Sequence, residues 1–185
     1  MAFFTAASKV DFQHQLQAAL APHVSEQALP QVGLFAEQFF GIVALEELTQ
    51  RRLSDLVGCT LSAWRLLEDF QPASPQVQVF NPDYEKHGWQ STHTAVEVLH
   101  PDVPFLVDSI RMELNRRGYS IHTLQNNVFS VRRAASGELQ EVLPKASHAL
   151  LPPSVQRALM RSKLASKYTD DGGHDFKWAY CKYFW

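Results

Sequence analysis

The hydrophobic periodicity of the chain changes at residues 71–75, Gln-Pro-Ala-Ser-Pro, and no other pattern limits the fold as strongly. Before this segment, apolar residues recur every three or four positions, as in amphipathic helices. After it, apolar and polar residues alternate, beginning with Gln-Val-Gln-Val-Phe at 76–80, as in strands. The prolines predict a linker between the two patterns. The sequence therefore predicts an α+β chain with a helical bundle over 1–71 and an α+β domain over 72–145.

Three apolar stripes at helical spacing define the predicted bundle. They are Phe12, Leu16 and Leu20; Val32, Phe35, Phe39 and Ile42; and Leu53, Val57, Leu61, Trp64 and Leu67. Pro22 ends the first stripe, because proline cannot continue a helix interior. Aromatic residues at this spacing are typical of a packed core rather than of a cofactor cleft. Cys59 falls within the third stripe and is predicted to be a small buried residue.

The second half of the chain predicts a β-α-β-β sandwich that follows the first strand. The predicted elements are strands over 76–80 and 92–99, a helix in which Pro104 lies in the first turn and Gly118 follows the end, and strands over 119–133 and 139–143 around a turn at 135–138. Leu106, Ile110 and Leu114 form the buried stripe of that helix. This order predicts a mostly antiparallel sheet with a helix on one side.

Residues 146–185 do not continue this pattern of alternating strands and helices. From Lys145 onward the chain carries seven Lys or Arg against three Asp, and 154–168 predicts one basic amphipathic helix. The aromatic end, 172–185, leaves two readings open: a final strand that completes the sheet, or sequence without a folding constraint. A basic tail could meet nucleic acid, but a solvated helix face is the simpler interpretation.

The length and the cysteine content exclude several classes of protein. The 185 residues cannot hold both a nucleotide domain and a substrate domain of about 100–200 residues each. Two cysteines cannot form a disulfide framework or a cysteine-based zinc site. No apolar run approaches the roughly 20 residues of a membrane span, and the first residues lack a secretory signal. A cytoplasmic setting is therefore predicted.

Motifs that carry chemistry are scarce in the chain. The sequence contains no glycine-rich phosphate loop, no zinc-protease motif and no nucleophile elbow. His87, His93 and His100 are close enough in sequence to suggest a metal site. However, His93 and His100 would lie about 23 Å apart on one strand, too far to bind the same ion. Acid–base work could come from Asp108 with His122 or from Asp83 with His87, pairings that also arise by chance. No catalytic, metal or cofactor residue is predicted.

Four stretches carry a family resemblance. They are Leu34 to Phe40, LFAEQFF; Asn81 to Trp89, NPDYEKHGW; Ser91 to His93, STH; and His100 to His122, HPDVPFLVDSIRMELNRRGYSIH. In these stretches, and over about residues 1–145, the chain resembles the amino-terminal region of the large bacterial NAD-specific glutamate dehydrogenases, most closely the pseudomonad type. The resemblance implies that the full-length enzyme oxidatively deaminates L-glutamate to 2-oxoglutarate with NAD in a catalytic region far downstream. It implies for this chain a non-catalytic, ACT-like (ferredoxin-like) regulatory or assembly module without a cofactor.

The resemblance also points to one turn as a ligand or interface site. Asp102, Val103, Pro104 and Phe105 resemble the strand-to-helix turn of ACT modules, but Phe105 stands where glycine is usual. Glycine lets an amino-acid ligand approach the backbone. A phenylalanine there is expected to fill that space or to swing into the core, so a structural or interface role is favoured over amino-acid binding.

The resemblance ends at about residue 145, where the family continues with a further strand and helix. A truncated or frame-shifted chain would leave the ACT-like sheet incomplete, with an exposed edge prone to association. The predicted partners are the remainder of the dehydrogenase or a second copy, with an amino-acid effector as a weaker prediction, and neither nucleic acid nor membrane. Alternatives are a stand-alone ACT-like ligand-binding module, a nucleic-acid binder with a β-α-β-β sheet, and a hydrolase or lyase that uses Asp108 and His122.

Overall fold

The computed structural model describes residues 4–69, 75–101, 103–145 and 174–184, the last range by its backbone pairing. The helices are α1 (Lys9–Leu20), α2 (Leu29–Phe40), α3 (Leu45–Thr49), α4 (Leu53–Glu68), α5 (Tyr84–His87) and α6 (Leu106–Arg116), with a 3-10 turn at Ala21–His23. The strands are β1 (Gln76–Phe80), β2 (Ala95–Pro101), β3 (Thr123–Arg133), β4 (Leu139–Leu143) and β5 (His174–Phe184). The helix predicted over 154–168 lies outside the described residues.

Local sequence signals set the first two helices. Ser8 caps α1, because its hydroxyl accepts a hydrogen bond from the Asp11 backbone N–H at 3.1 Å. Pro22 falls in the 3-10 turn that ends α1, as predicted. Pro30 lies in the first turn of α2, and the helix stops at Gly41. The prediction that Ile42 continues the buried stripe of α2 is wrong, because Ile42 follows the helix end and is exposed.

Within the described ranges, the sheet has five strands in the order β1-β2-β5-β3-β4, and every neighbouring pair is antiparallel. Strands β2 and β3 both run opposite to β5, so they are parallel to each other and α6 forms their crossover. The α+β class and the ACT-like β-α-β-β order of β2, α6, β3 and β4 are confirmed. The sequence left open whether the aromatic end forms a strand. It does so as β5, which fills the middle of the sheet, so the edges are β1 and β4.

Some element boundaries differ from the predictions. Strand β3 begins at Thr123 rather than at 119, because Gly118, at φ +80°, and Tyr119 complete the turn after α6. Strand β2 begins at Ala95 rather than at 92, and the preceding residues form a loop. Pro104 precedes the N-cap of α6 instead of lying in its first turn.

One hydrophobic core joins the helical bundle to one face of the sheet. Phe35 of α2 lies between Trp64 of α4 and Phe129 of β3, with ring centroids 5.5 Å and 4.8 Å away. Val131 and Val142 add the sheet side of this core. Large buried aromatic rings dominate core energetics, so this cluster fixes the bundle on the sheet. The division into segments 1–71 and 72–145 stays a prediction, and the two segments share this core.

Three polar side chains on the same face of the sheet donate hydrogen bonds to backbone carbonyl groups. Gln125 and Asn127 both donate amide N–H groups to the Phe39 carbonyl, at 2.5 and 3.0 Å. This carbonyl belongs to the last turn of α2, where helix carbonyls lack partners within the helix. Arg133, fully buried, donates to the carbonyl oxygens of Leu67 and Gly137, and burial lowers the pKa of its guanidinium.

Helix α6 covers the opposite face of the sheet, but less completely. Its predicted stripe, Leu106, Ile110 and Leu114, packs against Val96 and Val98 of β2. No residue of α6 is fully buried. The described residues thus form three layers: the bundle, the sheet, and a single helix. Within these described ranges, no helix is both long and apolar enough to span a bilayer.

Candidate functional site

The turn predicted as a ligand or interface site connects β2 to α6. Asp102 lies outside the described residues. Val103 and Pro104 are exposed, and Phe105 is the N-cap residue of α6, whose carbonyl accepts from the Ser109 backbone N–H at 2.9 Å. The turn is therefore a surface feature at the start of a helix.

Phe105 adopts a backbone conformation that normally selects glycine. Its φ is +65° and its ψ is +8°, and among the described residues it is the one non-glycine with positive φ. This left-handed conformation costs an L residue about 1–2 kcal/mol. Of the two expected placements of its side chain, the one within the core is wrong, because the ring is 77% exposed and the inward stripe of α6 begins only at Leu106. Phe105 thus retains the glycine geometry while it presents an aromatic ring at the surface.

The two predicted acid–base pairs serve other purposes. The Asp83 carboxylate caps α5 by accepting from the Glu85 N–H at 2.7 Å, and the Asp83 N–H donates to Nδ1 of His87 at 3.1 Å. This is a local cap rather than a carboxylate–imidazole pair. Asp108 lies on the exposed surface of α6, whereas the ring of His122 lies 4.5 Å from that of His93. The histidines considered for a metal site, His87, His93 and His100, do not form one. Among the described residues, no group of three or more His, Cys, Asp or Glu side chains is placed to hold a metal ion.

A cavity of about 580 Å³ opens where the bundle meets the sheet. Three separate parts of the chain line it: α4 with the residues before it, the loop before β2, and the start of β3 with the residue before it. The lining residues are Gln50, Arg51, Arg52, Asp55, Leu56, Cys59, Trp89, Gln90, Ser91, Thr92, His93, His122 and Thr123. Leu56, Cys59 and Trp89 are buried members of the main core, so the floor is apolar and the rim is polar.

Hydrogen bonds fix the loop that forms one wall of the cavity. The Asp55 carboxylate accepts from the Gln90 N–H at 3.2 Å. The Ser91 hydroxyl accepts from the His93 N–H at 3.0 Å, and Thr92 Oγ1 lies 3.1 Å from Nδ1 of His93. Ligand sites are usually preformed, with a few placed polar groups around an apolar body. The cavity has this construction.

Gly58 allows the same loop to lie directly against α4. A Cβ at position 58 would lie 2.2 Å from the Gly88 carbonyl oxygen and 2.9 Å from the Trp89 Cβ. Only a residue without a side chain fits such a backbone approach. Gly88 itself ends α5 in the left-handed region, at φ +74°. These two glycines place Trp89 on the cavity floor.

Comparison with known proteins identifies the family. The family model described as "Glutamate dehydrogenase, ACT1 domain" matches residues 35–166. The chain belongs to this family. No solved structure matches it.

Two relatives show how this ACT1 chain compares with longer proteins. The NAD-specific glutamate dehydrogenase of Pseudomonas aeruginosa is 80% identical over 147 residues, which cover 80% of this chain. The NAD-specific glutamate dehydrogenase of Halomonas elongata is 44% identical over 157 residues, 81% of this chain. The chain spans only 9% and 10% of the lengths of these relatives. The resemblance predicted from the sequence is confirmed.

Within the described residues, the β2–α6 crossover of this ACT1 chain does not have the form that binds a dinucleotide such as NAD. Dinucleotide folds place glycines where a strand turns into a helix, so that the pyrophosphate meets backbone N–H groups. The β2–α6 crossover carries Phe105 at that point, and the full sequence has no G-x-G-x-x-G motif.

Sequence reasoning missed the cavity in this ACT1 chain. Ser91 and Thr92 entered the prediction through the family resemblance, and His93 entered it through the resemblance and through the histidine set considered for a metal. The paired glycines at 58 and 88, which bring loop and helix together, lie 30 positions apart in the chain. Two glycines so far apart give no local pattern that would predict their contact.

Proposed function

We propose that this chain is a non-catalytic regulatory or assembly module of an NAD-specific glutamate dehydrogenase. The full-length enzyme oxidatively deaminates L-glutamate to 2-oxoglutarate, and NAD binds in a part of the enzyme outside this module. The observation that carries the proposal is the 80% identity to a segment forming 9% of the Pseudomonas enzyme. A cytoplasmic location accompanies this proposal, since the reaction serves glutamate catabolism.

The proposed partner is the remaining nine tenths of the dehydrogenase polypeptide. Support comes from the side of the sheet that carries α6. Val77 and Val79 pair with Val98 and Val96, so they share that face, yet each is 59% exposed on an edge strand. Edge strands with exposed apolar side chains favour association unless they are protected. A second copy of the chain and an amino-acid effector are weaker candidates.

The first experiment tests the absence of catalysis. Purified chain is mixed with L-glutamate and NAD, and NADH formation is followed by absorbance, with the full-length enzyme as a positive control. We expect no glutamate-dependent NADH. Turnover that scales with the concentration of the chain would refute the non-catalytic role.

The second experiment tests the partner. The dehydrogenase lacking the segment matched by this chain is immobilised, and binding of the separate chain is measured. Val79→Lys should weaken binding at least about tenfold, because it places a charge on the edge strand. Val10→Lys is the matched control, since Val10 is equally exposed, at 60%, but lies on α1. No binding, or equal losses in both variants, would contradict the proposed partner.

A further inference from the structure

We propose that the cavity between the bundle and the sheet binds a small molecule that carries a carboxylate or phosphate group. The proposal deepens the regulatory role proposed above, because it names the chemistry of a ligand that this module could sense. The observations that carry it are the charge of the rim, the fixed walls and the apolar floor.

The charge of the rim favours an anion. Arg51 and Arg52 both line the cavity, and Asp55 is its one acidic lining residue. The Asp55 carboxylate already accepts the Gln90 N–H, so part of its hydrogen-bonding capacity is used within the wall. Arg51 is held in place by Glu47, which lies outside the lining, at 2.9 Å. Within the described part of the chain, the half-buried Arg52 has no carboxylate partner.

The position of Arg52 adds to the attraction. Arg52 is the N-cap residue of α4, a helix of 16 residues, and its side chain makes no capping hydrogen bond. The first N–H groups of a helix lack partners within it and favour negative charge. A guanidinium binds carboxylate or phosphate oxygens with two parallel hydrogen bonds. The cavity therefore combines the positively charged Arg52 guanidinium with the partially positive N-terminal end of α4.

The rest of the cavity suits a ligand with both polar and apolar parts. His93 and His122 stand side by side on the rim, with ring centroids 4.5 Å apart. Their ring nitrogens can donate to oxygen atoms. Trp89 and Leu56 form an apolar floor that would contact a carbon skeleton. A volume of about 580 Å³ accommodates a metabolite rather than a single ion.

The test uses the full chain with two probes, inorganic phosphate and succinate, titrated separately at constant ionic strength. Amide resonances of residues around the cavity are followed by NMR, with sodium chloride as the control for general salt effects. We expect saturable shifts confined to residues 50–59, 89–93 and 122–123. The stronger of the two probes shows whether phosphate or carboxylate is the preferred group.

A pair of variants decides whether Arg52 anchors the ligand. Arg52→Gln should weaken binding of the stronger probe at least about tenfold, because a charge-assisted pair is lost. Arg65→Gln removes an exposed charge from the same helix outside the cavity and should leave binding unchanged. Arg52→Lys should restore part of the affinity, which also shows that the fold is intact.

Two results would overturn the inference: no saturable shift with either probe up to about 10 mM, or equal weakening by Arg52→Gln and Arg65→Gln. Neither result bears on the proposed partner, because capture by the dehydrogenase is measured without the probes. Conversely, a chain that binds the anion but is not captured by the dehydrogenase would contradict the proposed partner alone.

Discussion

The bundle-facing side of the sheet and its α6-facing side differ in how completely their side chains are covered. On β3, Gln125, Asn127, Phe129, Val131 and Arg133 all face the bundle and are all buried. On the other side, Val77, Val79 and the α6 residue Met112 remain exposed. The difference predicts that the bundle-facing side contributes more to stability than the α6-facing side, where apolar side chains are available for contacts. The predictions below test this difference.

The largest effect is expected at the centre of the shared core. Phe129→Ala should destabilise the chain by about 3–5 kcal/mol, because it leaves a cavity beneath Phe35 and removes their ring contact. Met112→Ala, on the α6 side where Met112 is 71% exposed, should change stability by less than about 0.5 kcal/mol. Urea unfolding measures both variants. Similar losses in the two variants would contradict the asymmetry between the faces.

A smaller loss is expected where α4 meets the loop before β2. Gly58→Ala should destabilise by about 1–3 kcal/mol, because its Cβ would overlap the Gly88 carbonyl and both backbones would have to move. Gly33→Ala is the matched control in α2, where the new Cβ meets only the flexible end of Gln17. That variant should be neutral or up to about 1 kcal/mol more stable. Thermal unfolding followed by circular dichroism distinguishes the two.

On the α6 side, a substitution at Phe105 is expected to raise the stability of the chain instead of lowering it. Phe105→Gly should stabilise the chain by about 1 kcal/mol, because glycine adopts positive φ without strain and little buried surface is lost. Gly118→Ala, at φ +80° on the other end of α6, should destabilise by a similar amount although nothing lies within 4 Å of its Cβ. Calorimetric melting of both variants checks the pair. A loss of stability in Phe105→Gly would show that its ring makes a contact worth more than the strain.

The smallest effect concerns an exposed ion cluster at the end of α6. Arg116 and Arg117 donate to Glu113 at 2.7 and 2.6 Å and lower the pKa of this carboxyl from 4.5 to about 2. A depressed pKa stabilises the fold above pH 4.5, and the benefit is lost as the pH falls through about 2. Glu113→Gln should therefore lower Tm slightly at about pH 6, and this difference should shrink as the pH falls from 4.5 through about 2. Added salt should reduce the difference at pH 6. A difference that grows on acidification would contradict the account.

Much of the local structure could be predicted from the sequence. The stripe Phe12, Leu16 and Leu20, the hairpin between β3 and β4 and the end of α6 shortly before Gly118 all depend on neighbouring residues. The placement of β5 between β2 and β3 could not be predicted, because strand pairing is decided by contacts far apart in the chain. The burial of Gln125 and Asn127 could not be predicted from the alternation of apolar and polar residues either. Their hydrogen bonds to Phe39 form only when the bundle packs on the sheet.

For the site, the sequence predicted the position of the turn but not its character. The resemblance placed a glycine-like turn at Phe105, and the backbone there has the left-handed geometry of glycine. The outward direction of the ring depends on how α6 packs on β2, which the sequence pattern does not encode. The cavity depends on three chain segments that meet only in the folded protein.

The measurement that bears most directly on the shared core is native-state hydrogen exchange of the full chain, resolved by residue. If the bundle and the sheet form one cooperative unit, the slowest amides of α2, α4 and β3 have the same free energy of opening. Phe129→Ala then lowers all three by the same amount. Protection in α2 and α4 that persists after β3 has lost its own would instead show two independent units, and would contradict the account.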